Sequence, residues 1–129
     1  MLLQTTLCLA AAAAFVNIWL AGRIGRVRRI NNIWIGDGDN DLLGRRMRAQ
    51  LNFAENVPVV LILVGLIEFA GKGALWLAIV AAVFMLGRLL HAFGMDGRLM
   101  WARMAGAGIT FLTQIGLAIV AVLLAAQAI

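Results

Sequence analysis

The sequence predicts an all-α integral membrane protein built as a four-helix bundle, and three observations carry that expectation. Hydrophobic residues fill 64% of the 129 positions and charged ones only 13%, where a soluble domain gives roughly a quarter to charge. A hydrocarbon layer about 30 Å thick takes roughly 20 apolar residues per helix. The chain holds four such stretches, about 2–21, 41–70, 74–93 and 100–126, with little between them. The arginines collect in two of the loops, as membrane topology arranges them, and do not spread into a face for DNA or RNA. The 129 residues are thus expected to form a single domain with no separate soluble part.

The first span is placed at about Leu2 to Ala21, interrupted only by Gln4 and Asn17, and is expected to stop at Gly22 before the basic run RIGRVRR. Positive charge follows this apolar run instead of preceding it, so it reads as a retained span and not as a signal peptide. The segment INNIWIGDGDND is rich in Gly, Asn and Asp and reads as a loop at the membrane surface, with Ile33 and Trp34 anchoring it among the headgroups.

The second span opens near Asp39 to Asp41, residues able to accept from the free N–H groups of a first turn. Running to about residue 70, it reaches about 45 Å, longer than the hydrocarbon, so its charged first third must lie outside lipid or be sheltered. Pro58 removes one backbone hydrogen bond and is expected to bend it. GKG at 71–73 makes a short turn, where Glu68 and Lys72, four apart, are expected to pair. The third span covers about 74–93. The fourth, about 100–126, carries Ala102, Gly106 and Thr110 at steps of four, which permits close approach of a neighbouring backbone.

Charge then orients the chain. The first loop with its flanks holds Arg23, Arg26, Arg28, Arg29, Arg45, Arg46 and Arg48, and the third holds Arg88, Arg98 and Arg103, whereas the second has only Lys72. The positive-inside rule places loops 1 and 3 in the cytoplasm and both termini on the opposite side, for a protein of the cell inner membrane.

The chemistry concentrates in RRMRAQLNFAENVP, positions 45–58. On a helix Arg45, Arg48, Asn52 and Glu55 follow steps of 3, 4 and 3 and share one narrow stripe. Ionised groups at membrane depth face a bundle interior, a cavity or one another. Arg48 and Glu55 therefore either pair with each other or share a ligand. Arg88 and Arg103 complete a cationic pocket with this stripe, or else Arg103, like Arg98, reaches up to phosphate headgroups. His91 reads as a packing residue before a general base, and Thr110, Thr113 and Gln114 as hydrogen-bonding groups between helices. A single cysteine, Cys8, allows neither an internal disulfide nor a zinc set, and there is no Gly-rich phosphate loop, metal-ligand cluster or Ser/His/Asp set.

Arg45, the run RAQLNFAENVP from Arg48 to Pro58 and GRLLHAFGM before the fourth span together resemble the MAPEG family, membrane-associated proteins in eicosanoid and glutathione metabolism. The resemblance covers nearly the whole chain. It implies a homotrimer of four-helix subunits that binds glutathione as cosubstrate on the cytoplasmic side, between subunits, and attacks a lipophilic electrophile with an arginine-stabilised thiolate. It carries the binding role to Arg48 on a carboxylate, Asn52, and Glu55 on the amino group, with Arg45 and Arg88 as further binding candidates and Arg103 as the thiolate-stabilising catalytic residue. Membrane lipids and a lipophilic small molecule are the other implied partners. His91 and Met95 stand where family enzymes often have tyrosines, and Asn56 where an aromatic is frequent. Two rivals stand beside this reading. One is a family member that kept the fold and lost the chemistry; the other is a small four-helix multidrug exporter, which needs a carboxylate deep in a span that the first helix lacks.

Overall fold

The computed structural model describes residues 2–129. Among them the chain forms α1 (Gln4–Asn31), α2 (Asp41–Ile67), α3 (Leu75–Gly94) and α4 (Met100–Ala125), with a π-helical turn at Glu68–Lys72 continuing α2. All four helices are long and apolar enough to cross a membrane, and no strand occurs among the described residues. They run up, down, up and down, so that the α1–α2 and α3–α4 connections share one end of the bundle.

The core explains why the helices assemble. Phe53, Val57, Val60, Val64 and Ile67 of α2 are buried at alternating steps of 4 and 3, which lines them along one face. Leu9, Ala13 and Leu20 of α1, Leu77, Ala81 and Phe84 of α3, and Leu117 of α4 close around that stripe. In lipid the drive for this packing is close van der Waals fit, because hydrocarbon is as apolar as leucine. Large side chains such as Phe15, Ile18, Ile62, Phe111 and Leu112 accordingly remain exposed on the outer surface.

Between α3 and α4 the fit is set by small residues, as the spacing of Ala102, Gly106 and Thr110 leads one to expect. A Cβ on Gly106 would lie 2.7 Å from the Cβ of His91 and run into the Gly87 carbonyl oxygen; one on Gly94 would run into the Arg103 backbone nitrogen. These glycines let two backbones touch.

Several expectations need correction. The first helix does not stop at Gly22 but continues to Asn31, beyond the basic run. Neither Gly22 nor Gly25 breaks it, because tertiary packing overrides their weak propensity: Ile24 and Val27 are buried with Leu43 of α2, and Ile33 and Met47 pack against them. Ile33 thus serves this small second core, while Trp34 is 82% exposed. The start of α2 falls within the expected 39–41 stretch, where the cap is Asn40, whose Oδ1 accepts from the Leu43 N–H at 2.9 Å.

Glu68 does not pair with Lys72. Its carboxylate accepts from the N–H groups of Thr5 and Thr6, each at 2.8 Å, and from the Thr6 hydroxyl at 2.7 Å. The α1 N-cap, Leu3, offers no side-chain acceptor, and the first-turn donors of a helix need one. The carboxylate from the end of α2 meets that need and favours the positive end of the α1 dipole.

Candidate functional site

An open cleft of about 950 Å³ lies at the end of the bundle that carries the α1–α2 and α3–α4 connections. Helix α2 supplies Arg45, Arg48 and Leu51; the α3–α4 turn supplies Met95 and Gly97; α4 supplies Met100 and Arg103. Asp37, Asp39 and Asp41 line its outer rim. The step of three from Arg45 to Arg48 keeps both on one side of α2, and the contact of Gly94 with the Arg103 backbone brings the first turn of α4 to the opposite wall.

Arg45 pairs with Asp41, Nε to Oδ2 2.9 Å, in an exposed i,i+4 bridge of the kind worth a few tenths of a kcal/mol. The pair is therefore easily exchanged for another anion. Arg48 and Arg103 are exposed and make no side-chain hydrogen bond or ion pair among the described residues. Arg98 is exposed and lies outside the cleft lining.

The remaining candidates lie elsewhere. Arg88 is buried in α3, where it donates to Asn52 Oδ1 at 2.6 Å and to the Gly106 carbonyl at 3.1 Å; its Nε has no partner. Glu55 is exposed on the outer face of α2, lines no part of the cleft and is not bridged to Arg48. The stripe of Arg48, Asn52 and Glu55 is thus divided: Arg48 to the cleft, Asn52 to α3, Glu55 to the bundle exterior. The buried Arg48–Glu55 pair is absent.

Below the cleft a run of amides joins α2 to α4. Arginine only donates, so the Asn52 atom facing Arg88 must be its oxygen, and its Nδ2 points away. Asn56 donates Nδ2 to the Asn52 carbonyl at 2.7 Å, which leaves its Oδ1 to accept from Gln114 Nε2 at 2.8 Å. The Asn52 backbone carbonyl fixes the orientation of Asn56, and Asn56 in turn that of Gln114, independently of the Asn52 side chain that Arg88 holds. Thr110, by contrast, bonds within its own helix to the Gly106 carbonyl at 2.9 Å. His91 is buried beside Gly106, as a packing residue.

One charged cluster was not anticipated. Asp96, in the α3–α4 turn, accepts from Arg23 of α1 and from Arg46 of α2, whose Nε and Nη2 reach its two oxygens at 3.3 and 3.4 Å. Arg46 also donates to the Arg23 carbonyl at 3.2 Å, and Arg23 lies over the Trp19 ring, 4.7 Å from its centroid. The clue available in the sequence is that Asp96 is the sole acidic residue between Glu68 and the end of the chain, beside a strongly basic first loop.

Among the described residues no group of three His, Cys, Asp or Glu side chains is placed to hold a metal ion. The arrangement offers instead three guanidinium groups, two of them unengaged, facing one open space. Guanidinium groups bind carboxylates in directional, charge-assisted pairs. No curated protein matches the chain. A family model described as the MAPEG family matches residues 6–123.

Proposed function

The chain belongs to the MAPEG family, and on that premise we propose that it binds glutathione, or a similar anionic thiol, and adds the thiol to a lipophilic electrophile drawn from the bilayer. The observation that carries the reading is the convergence of Arg45, Arg48 and Arg103 on one open cleft. Glutathione brings two carboxylates, one ammonium and one thiol. Arg45 and Arg48 suit the carboxylates, Asp37, Asp39 and Asp41 on the same rim suit the ammonium, and Arg103 suits the sulfur.

A free thiol near pKa 8.5 is only a few per cent ionised at neutral pH, and a nearby guanidinium lowers that pKa and enlarges the nucleophilic population. In the reaction the thiolate sulfur forms a bond to the electrophilic carbon, and the displaced electron pair leaves with a leaving group or takes a proton from water. The same thiolate serves the reduction of a lipid hydroperoxide: the O–O bond breaks, two thiols become a disulfide, and an alcohol and water are released.

Glu55 faces outward from α2 in a spanning helix, where an unpaired carboxylate is costly. Its placement supports a homotrimer in which a neighbouring subunit covers that face, with loops 1 and 3 cytoplasmic in the inner membrane. Asn52 and Arg88, which do not line the cleft, then act on the site only by joining α2 to α3 one turn below Arg48.

Calorimetric titration of glutathione into detergent-purified protein, beside the Arg48→Ala variant, tests the reading. Saturable binding that vanishes in the variant, with the assembly intact on size exclusion, is expected. Equal binding in both would remove the site from this cleft. A second reading, a member that kept the fold without catalysis, is favoured by His91, which is buried against Gly106 where family enzymes often place a tyrosine. Turnover that disappears in Arg103→Ala would reject it.

A further inference from the structure

We propose that Asp96 is a positioning residue for the cleft: by binding Arg23 of α1 and Arg46 of α2 at once, it clasps the α3–α4 turn against the first helix pair and so sets the place of Arg103 relative to Arg45 and Arg48. Asp96 itself does not line the cleft, but its neighbours Met95 and Gly97 do. It acts through them.

The clasp has three points. At the first, Asp96, 25% exposed, holds both arginines, whose side chains are 10% and 19% exposed, so the ion pairs are partly sheltered from water. Partly buried charge pairs are screened less than exposed ones, and removal of one member leaves the others without a counter-charge. The second is Gly97, which has φ +95°, a conformation that suits glycine, and lies so close under the Arg45 guanidinium that a Cβ would collide with it. The third is Gly94, whose close fit to the Arg103 backbone ties the start of α4 to the end of α3.

Without Asp96 the end of α3 would keep its close fit to α4 at Gly94 and the bond from Arg23 to the Ala92 carbonyl, but the turn itself would lose its ionic tie to α1 and α2. Arg46, one residue from Arg45 and two from Arg48, would lose its counter-charge and keep only its bond to the Arg23 carbonyl. The cationic set would change both its geometry and its charge. Asp96 therefore does two things for the ligand: it fixes the distance across the cleft, and it withholds Arg46 from competing for the ligand's carboxylates.

The effect on ligand affinity rests on the thiol reading above; the clasp itself does not. The test compares the parent, Asp96→Asn and Asp96→Glu by hydrogen exchange of the turn amides and by calorimetric titration with glutathione. In Asp96→Asn, which keeps the shape and loses the charge, exchange at residues 95–99 should accelerate by about tenfold, with the core of α2 unchanged. Glutathione affinity should fall by roughly tenfold, the size seen when one member of a coupled charge network is removed. Asp96→Glu should recover most of both. Unchanged exchange in Asp96→Asn would overturn the clasp. Accelerated exchange with unchanged glutathione affinity would overturn the positioning role. Should the parent itself bind no glutathione, the thiol reading falls, and the exchange measurement alone decides the clasp.

Discussion

Arg88 of α3 and Asn52 of α2 are joined by a hydrogen bond of 2.6 Å inside the bundle, with no carboxylate bound to the arginine. A buried guanidinium held by neutral acceptors depends on each of them. Replacing Asn52 by Leu should therefore destabilise the fold by about 2–4 kcal/mol, since it strands a charged donor in a low-dielectric setting. Asn52→Asp should retain more stability than Asn52→Leu, because it keeps an acceptor and adds a counter-charge. Thermal unfolding in detergent distinguishes the two; equal losses would mean that the bond contributes nothing.

Glu68 replaces the missing cap of α1. In Glu68→Gln one oxygen remains to accept while the charge facing the helix dipole is gone, so a loss of about 1 kcal/mol is expected. Hydrogen exchange at Thr5 and Thr6 should quicken in that variant and quicken further in Glu68→Ala. Exchange that stays at the parent rate in both would show that the cap is not formed in the membrane.

If Arg103 stabilises the thiolate, removing it raises the pKa of the bound thiol toward its free value. The pH profile of thiolate absorbance in the complex with Arg103→Ala should accordingly shift to higher pH, and the thiolate fraction at neutral pH should fall. A profile that coincides with that of the parent would assign the sulfur to another group.

The glycines of α4 divide by what surrounds them. Gly106→Val should cost about 2–3 kcal/mol, because its side chain meets the Gly87 carbonyl and His91 with little room to yield. Gly116→Ala, with nothing within 4 Å of its Cβ, should be neutral or raise the midpoint, since alanine favours the helix by up to about 1 kcal/mol. The same unfolding measurement reads both, and comparable effects would contradict the close approach of α3 and α4.

The spans were legible because lipid imposes a length and a composition that a sequence displays directly; α3 and α4 fall within one or two residues of their expected bounds. The end of α1 was not. Composition marks where a helix leaves the hydrocarbon, but whether it continues depends on a partner, here Leu43 of α2 against Ile24 and Val27. The candidate site follows the same division. The spacing of Arg45 and Arg48 places them together, whereas it cannot show that Asn52, on the same stripe, turns to Arg88 instead. Glu68 and Asp96 were hidden for a related reason: their partners lie about 60 residues or more away in the chain for Glu68, and on two different helices for Asp96.

The continuation of α1 gives the molecule an uneven rim. From Arg23, which shares Asp96 with the α3–α4 turn, the helix climbs eight more residues to Asn31, a rise of about 12 Å. The α1–α2 connection thereby starts beyond the level of Asp96, and from it Asp37 and Asp39 reach the cleft. The last turns of α1 carry Arg26, Arg28 and Arg29, and Asp37 and Asp39 line the cleft together with Arg45, Arg48 and Arg103, so an entering molecule meets both signs of charge. A ligand that carries both carboxylate and ammonium groups finds a counter-charge for each within the same opening.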